Sequence, residues 1–413
     1  MTDNILRHDT RCRVCASTRI EPAIRLIDTP LEDQFVKSDS LTYEQPVYPL
    51  QVALCTDCGY LHLTHIINPA LSYADYTYVT QVTVGLPNHY DDYASEIVNC
   101  YGIQANTLAV DIGSNDGSML ASFQRAGLTA IGVEPARGIA ERANANGFPT
   151  ITGFLTGEVA AELIATHGKA SVISANYMYA NVDDLHLFTK QVAKILQPAG
   201  VFVIQTGYHP EQMKINMFDY IYHEHFSYFT VETLHKLFAT CGLQLIDVQK
   251  TEPKGGSLRA VAQLSSGVRA VSATVANLLA EESSAEIRSL RKYRIFEEGL
   301  QTVKHQLLAK LQFLKSSGER IVGFGASHST TTLIYHFELA PFLEYIVDDN
   351  KSKHGLYSPG HHIPVYPVEK LVSEGPCNVI VLAWQHQQSI LAKHRQHLPA
   401  IHWITPLPLL SVS

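Results

Sequence analysis

The chain has 413 residues, a formal net charge of −8, 17% charged residues and 46% hydrophobic ones, ordinary values for a globular protein of about two to four domains. The negative balance argues against a protein that grips nucleic acid through its phosphates. No run approaches the roughly 18 apolar residues of a membrane span, and MTDNILRHDTRC lacks the basic-then-apolar design of a signal peptide, so a cytoplasmic protein without a nucleic-acid or membrane partner is expected.

Two CxxC pairs come first, Cys12-Arg-Val-Cys15 and Cys55-Thr-Asp-Cys58. Each can wrap a tight turn around one metal, and the two together complete a tetrahedral thiolate shell suited to Zn2+. Four thiolates leave no open coordination position, so the zinc is expected to staple a small module rather than catalyse. The residues between the pairs must then form hairpins of their own. Cys100, Cys241 and Cys377 are scattered in apolar surroundings and are expected to be buried thiols.

The segment TLAVDIGSNDGSML (107–120) reads as a buried strand, a glycine turn and a helix start. Gly113 and Gly117 supply the turn and the close approach. The next strand, TAIGVEP (129–135), ends in Glu134, so Asp111 and Glu134 close adjacent parallel strands of one βαβ unit. An acid at the second position can accept both ribose hydroxyls. Asp111, Asn115 and Asp116 place acidic and amide groups where a dinucleotide site would present amides to a pyrophosphate. Such a loop suits the cationic sulfonium and amino group of S-adenosylmethionine. Phe154 falls where a ring could cover an adenine, and the strand in ASVISANYMYANVDD (170–184) ends near Asn176. The segment 191–208 reads as helix, turn and strand, and 242–264 as a closing hairpin with a Gly-Gly-Ser loop. The order is that of a class I methyltransferase core, an α/β Rossmann-like sheet.

Residues 268–318 have helical spacing, and AEIRSLRKYRIFEEGLQTVKHQLLAKLQFLKSS predicts a long amphipathic connector. ERIVGFGAS, FLEYIVDDN and CNVIVLAW predict the strands of a second, C-terminal Rossmann-like α/β module. Its Gly-Phe-Gly loop with Asp348 and Asp349 invites an NAD reading, but a lone GxG is a weak signal. The expected organisation is a zinc-binding module at 1–70, a methyltransferase core at 71–266, a helical connector at 267–318 and the C-terminal module at 319–413.

The order CxxC…CxxC, VDIGSNDG, YHEHFSYF, GGSLR and VDDN…PG…IPV resembles the NDP-sugar C-methyltransferases. The resemblance spans nearly the whole chain. It implies transfer of a methyl from S-adenosylmethionine to a carbon, commonly C3, of a nucleotide-linked 4-keto-6-deoxysugar, with zinc in the first module and the sugar nucleotide enclosed by the outer two. It implies that His225 is the general base and that Tyr222 and Glu224 line the same pocket. A tyrosine ahead of the core belongs there as well: Tyr76 is the choice, with Tyr78 as its rival. Lys254, Ser257 and Arg259 around the Gly-Gly-Ser loop, and Ser327 and Asp348 in the last module, are expected substrate contacts. Relatives often carry a histidine where this chain has Asn181, which can only donate and accept hydrogen bonds. A monomer or weak dimer is expected.

The chemistry fits these residue types. A carbon next to a ketone becomes nucleophilic once its proton leaves and the charge spreads onto oxygen as an enolate. A neutral histidine can accept such a proton. Fixed donors such as Tyr222, Tyr76 or a protonated Glu224 can hold the oxyanion. On a strand, His223 and His225 would share one face, yet no third ligand is evident, so a metal is not expected there. Two other readings stay open: an NAD-dependent oxidoreductase using the C-terminal glycine loop, and a sugar-nucleotide binding protein without turnover.

Overall fold

A seven-stranded sheet occupies the middle of the chain. Its strands are β1 (Leu108–Ile112), β2 (Thr129–Glu134), β3 (Thr150–Thr152), β4 (Ala170–Asn176), β5 (Leu196–Gly207), β6 (Leu243–Thr251) and β7 (Ser257–Leu264). They lie in the order β6-β7-β5-β4-β1-β2-β3. β1 to β5 pair in parallel, while β7 runs antiparallel to both β5 and β6. Every residue of β1 and β4 is buried, as expected for parallel strands covered on both faces by helices. The chain order reverses between β1 and β4, which opens a crevice beyond their C-terminal ends, the usual place for a ligand in such a sheet. The sheet confirms the class I methyltransferase fold expected from the motifs. The computed structural model describes residues 5–74, 79–82 and 85–413.

The N-terminal module forms a four-stranded antiparallel sheet from Ile20–Arg25, Gln51–Cys55, Leu61–Leu63 and Ser227–Tyr228. Its last strand comes from far along the chain. The sulfurs of Cys12, Cys15, Cys55 and Cys58 lie within 4.8 Å of one another. Gly59, at φ +81°, permits the reversal after the second pair, a conformation that strains any other residue. Arg13, inside the first pair, donates to the backbone carbonyls of Val182 (2.7 Å) and Phe226 (3.3 Å), tying the knuckle to two loops of the core.

The connector is a 27-residue helix, Leu290–Ser316. Tyr293, Phe296, Leu300, Val303, Leu307, Leu311 and Leu314 recur every three or four residues and are all buried. They join one hydrophobic cluster with Ile24 and Val52 of the N-terminal sheet, Phe218, Ile221 and Phe226, and Ile346 and Ile380 of the C-terminal sheet. Burying one such side chain stabilises by about 1.5–3 kcal/mol, so this helix holds the first and last modules against the segment between them. The C-terminal sheet orders Val365–Pro367, Ile346–Asp348, Ile321–Phe324, Cys377–Val381, Ile401–Thr405 and Ser411–Val412. Cys241 and Cys377 are buried as expected, but Cys100 is exposed, because it ends the helix Leu86–Cys100 where the chain turns out to solvent. No helix among the described residues is long and apolar enough to cross a membrane.

Cys55 is both the end of a central strand and a member of the thiolate cluster, and it is fully buried. Cys55→Ser is therefore expected to reduce bound zinc from about one ion per chain to near zero and to lower the Tm. Elemental analysis and calorimetry check this, and a full zinc complement in the variant would contradict the assignment.

Candidate active site

A cavity of about 400 Å³ opens beyond the C-terminal ends of β1, β2 and β4. One end is lined by Gly113, Asn115, Glu134, Phe154 and Asn176. Glu134 ends β2 and is buried; its two carboxylate oxygens accept the backbone N–H groups of Asn115 (2.9 Å) and Ala136 (2.8 Å). Burial raises its pKa and these two amides counter the shift. Each oxygen still has acceptor capacity for a ribose hydroxyl. Phe154 stands at the rim with 46% of its surface exposed, although its type is usually buried. At Gly113 a Cβ would come 2.7 Å from the Met178 side chain, so only glycine lets the loop pass there.

Asp111 is not on the wall. It is fully enclosed one layer below, where its carboxylate accepts the Ser174 hydroxyl (2.5 Å) and the Asn176 amide (3.4 Å). Burial pushes its pKa up to about 7, against the opposing Ser174 bond. Asp111 thus orients Asn176, which does reach the cavity. Gly117 also lies off the wall, starting the helix Ser118–Arg125 against the Phe148 ring. Together these groups present a carboxylate, amides and an aromatic edge. Among the described residues no lysine or arginine lines this end, a donor set that fits the sulfonium, amino group and ribose of S-adenosylmethionine better than a pyrophosphate.

The other end is lined by Tyr222, Glu224, His225, Asn181, Lys254 and His328. The stretch 221–226 is not a strand. The His225 N–H donates to the Tyr222 carbonyl at 3.0 Å, closing a β-turn with His223 and Glu224 at its centre. The two histidines consequently diverge, which removes the shared face that a strand would give. His223 packs against Glu32 and Tyr48, with Nδ1 3.4 Å from a Glu32 oxygen and Nε2 donating to the Tyr48 carbonyl at 3.3 Å. His225 turns to the cavity and stacks on Tyr222, ring centroids 4.0 Å apart.

The Nδ1–H of His225 donates to the Tyr220 carbonyl at 2.9 Å. A carbonyl only accepts, so Nδ1 carries the hydrogen and Nε2 keeps the lone pair of the neutral ring. Burial pushes the His225 pKa down to about 4, with the Tyr220 bond opposing and Lys254 assisting. Glu224 moves the other way: burial raises its carboxyl well above the ordinary range, and the charges of Glu32 and Asp33 add to the shift. The wall therefore pairs a neutral imidazole with a carboxyl that favours its protonated form.

Several expected contacts are elsewhere. Arg259 is buried on β7, where it donates to Gln205 (3.2 Å) and Glu96 (2.7 Å) and lies over the Tyr93 ring, so its charge is used inside the core. Ser257 is buried and donates to the Pro253 carbonyl at 2.8 Å, closing the hairpin loop. Ser327 caps the helix His328–His336 through Thr330. Asp348 accepts the N–H groups of Ala326 (2.5 Å) and Asn350 (2.6 Å), bracing the glycine loop rather than facing the cavity. Tyr76 and Tyr78 lie outside the described residues.

Two carboxylates reach the turn with no sequence signal of their own. Glu32 and Asp33 come from the N-terminal module: a Glu32 oxygen accepts the Glu224 N–H at 3.1 Å, and Asp33 pairs with Lys353 (2.5 Å) and His328 (3.6 Å). His328, at the start of the helix after the C-terminal glycine loop, lines the cavity as well. Asn115, Tyr177 and Lys254 all line the cavity with positive φ, and the Lys254 ammonium sits 4.3 Å from the Tyr177 ring centroid. Strained non-glycine backbone of this kind clusters at functional sites.

Comparison with known proteins accounts for the three parts of the chain. Residues 12–73 match a zinc binding domain family, 94–248 a methyltransferase domain, and 252–408 the C-methyltransferase C-terminal domain. The C-methyltransferase NovU of Streptomyces niveus is 30% identical over 407 residues, 98% of this chain and 97% of that one. Solved structures similar to part of the chain include a methyltransferase in complex with the Trm112 activator of Haloferax volcanii (13% identity, 48% of this chain and 97% of that one, TM-score 0.35). Another is magnesium protoporphyrin IX methyltransferase from Synechocystis with bound S-adenosylmethionine (13% identity, 44% and 80%, TM-score 0.33). The chain belongs to the C-methyltransferases, and is an S-adenosylmethionine-dependent enzyme carrying a four-cysteine zinc module.

Proposed function

We propose that this enzyme methylates a carbon, C3 by preference, of a nucleotide-linked 4-keto-6-deoxysugar through an enolate. The observation that carries the reading is the wall of Tyr222, Glu224 and His225, which shares one cavity with Glu134 and Asn115. In this reading Glu134, Asn115, Asn176 and Phe154 hold S-adenosylmethionine. When bound, that cofactor supplies an electrophilic methyl group to a carbon nucleophile. Nε2 of His225 takes the proton from the carbon beside the ketone, and the electron pair moves onto the ketone oxygen. Tyr222 and protonated Glu224 donate hydrogen bonds to that oxygen as its charge develops. General-base help of this kind is worth about 10²–10⁴ in rate.

Features of the far end support a sugar-nucleotide acceptor. Lys254 can meet a phosphate, and Asn181 and His328 can meet hydroxyls. The cavity is walled jointly by the core, by a turn that the N-terminal sheet holds, and by a helix start of the last module. An acceptor larger than a bare sugar suits such a junction. The reading places the enzyme in the cytoplasm as a monomer or weak dimer.

His225→Ala is expected to bind S-adenosylmethionine normally in calorimetry and to lose about 100-fold or more in turnover. It should also stop exchange of the substrate C3 hydrogen with D2O, followed by NMR; unchanged exchange would remove His225 as the base. A second outcome concerns pH. The folded His225 pKa lies below its ordinary value of about 6.5, at about 4, so the ring is already neutral well below pH 6. The acid side of kcat/KM should therefore stay level from pH 7 down to about 5.5. A half-loss near pH 6.5 would show that burial does not hold this ring neutral.

A further inference from the structure

Glu32 is buried beneath the Tyr222–His225 turn, 2% exposed, in a segment far from the core in sequence. One oxygen accepts the Glu224 N–H at 3.1 Å; the other faces His223 Nδ1 at 3.4 Å. Its backbone carbonyl accepts the Thr331 hydroxyl at 2.9 Å, and the neighbouring Thr332 hydroxyl donates to the Ile221 carbonyl at 3.1 Å. Glu32 thus touches the turn from below while two adjacent threonines of the C-terminal module hold both Glu32 and the start of that turn. Burying a carboxylate in such a place is costly unless it is paired. A structural anchor for one backbone amide could have been a neutral amide side chain. The acid needs another reason.

We propose that Glu32 is a positioning residue whose buried negative charge, paired with His223 and fixed to the Glu224 amide, keeps the Glu224 carboxyl protonated and so makes it a hydrogen-bond donor in the active site. Glu32 meets the Glu224 backbone with one oxygen and His223 with the other, and two carboxylates in one buried setting cannot both hold a charge. The surrounding groups agree. Burial would raise the Glu32 carboxyl, but the His223 ring overrides it and leaves Glu32 below its ordinary value, with His328 assisting. Burial raises Glu224, Glu32 and Asp33 raise it further, and only Lys254 opposes. Asp33 is already paired with Lys353 and His328. The same Glu32 charge favours a proton on His225, so one anion biases the acceptor to accept and the donor to keep its hydrogen. The assignment of Glu224 as donor to a ketone oxygen rests on the function proposed above; its protonated state does not.

The test uses the full chain without substrate. Infrared difference spectra of wild type against Glu224→Gln isolate the Glu224 carboxyl. The C=O band of a protonated acid should persist at pH 7. In the Glu32→Gln background, which keeps a carbonyl oxygen for the Glu224 amide, the same band should disappear at a pH lower by about one unit or more. S-adenosylmethionine affinity, read at the far end of the cavity, should stay within about twofold of wild type and reports an intact fold. If Glu32→Gln fails to fold, His223→Gln serves instead: it removes the partner that keeps Glu32 charged and should shift the band the same way. Absence of the band at pH 7 in wild type, or an unshifted band in the folded variants, would overturn the proposal. Failure to methylate any keto-sugar would overturn the substrate reading alone.

Discussion

The pairing of Ser227–Tyr228 with Leu61–Leu63 is the constraint on which the active site depends. It pulls the segment after the Tyr222–His225 turn out of the methyltransferase core and into the sheet that the zinc knuckle closes. The Tyr60 hydroxyl reaches Ser227 at 2.5 Å, and the Leu63 N–H donates to the Phe226 carbonyl at 3.0 Å, so the turn has little freedom at its C-terminal end. From its other side come the Glu32 carboxylate and the Thr332 hydroxyl. A three-part protein results in which no part owns the site. The core supplies the cofactor end, the zinc module fixes the turn, and the last module closes the wall with His328.

Electrostatics does the complementary work. The cavity end by Glu134 offers acceptors to a cation, whereas the far end brings Lys254 and His328 near Glu224 and the His225 lone pair. Burial drives the histidine and the glutamate of the turn in opposite directions, each toward its neutral form. Neutral groups suit enolisation, which starts from an uncharged ketone and needs an acceptor on carbon and a donor on oxygen. In the proposed reaction, pushing two titratable neighbours apart in this way lets one site hold acid and base roles at once.

Much of this was legible in the sequence. The apolar runs of β1, β2 and β4 are buried on both faces, so they read as strands without help from alternation, and the helix Leu290–Ser316 repeats its apolar residues at helical spacing. CxxC spacing exposed the metal site because a tight turn needs that interval. Asn115, Glu134, Phe154 and Asn176 were legible because loop ends beyond parallel strands converge. What failed was whatever depended on long-range partners. Arg259 looks like a substrate cation until Glu96, from the helix Leu86–Cys100, is seen to pair with it. Asp348 looks like a substrate contact, but its carboxylate braces the glycine loop and does not line the cavity. His223 and His225 would share a face on a strand, yet the hydrogen bond that makes their segment a turn sends His223 to a different partner. Glu32 carries no local signal at all, since its role comes entirely from what packs on it.

The proposed function requires the cavity to join a methyl donor to a carbon of a nucleotide-bound keto-sugar. The direct measurement is to incubate the purified enzyme with S-adenosylmethionine and a panel of nucleotide-linked 4-keto-6-deoxysugars, then weigh the products and locate any new methyl by NMR. One added methyl on a sugar carbon next to the ketone is the expected result. A panel left unmethylated while S-adenosylmethionine still binds, or a methyl found on oxygen or nitrogen, would contradict it.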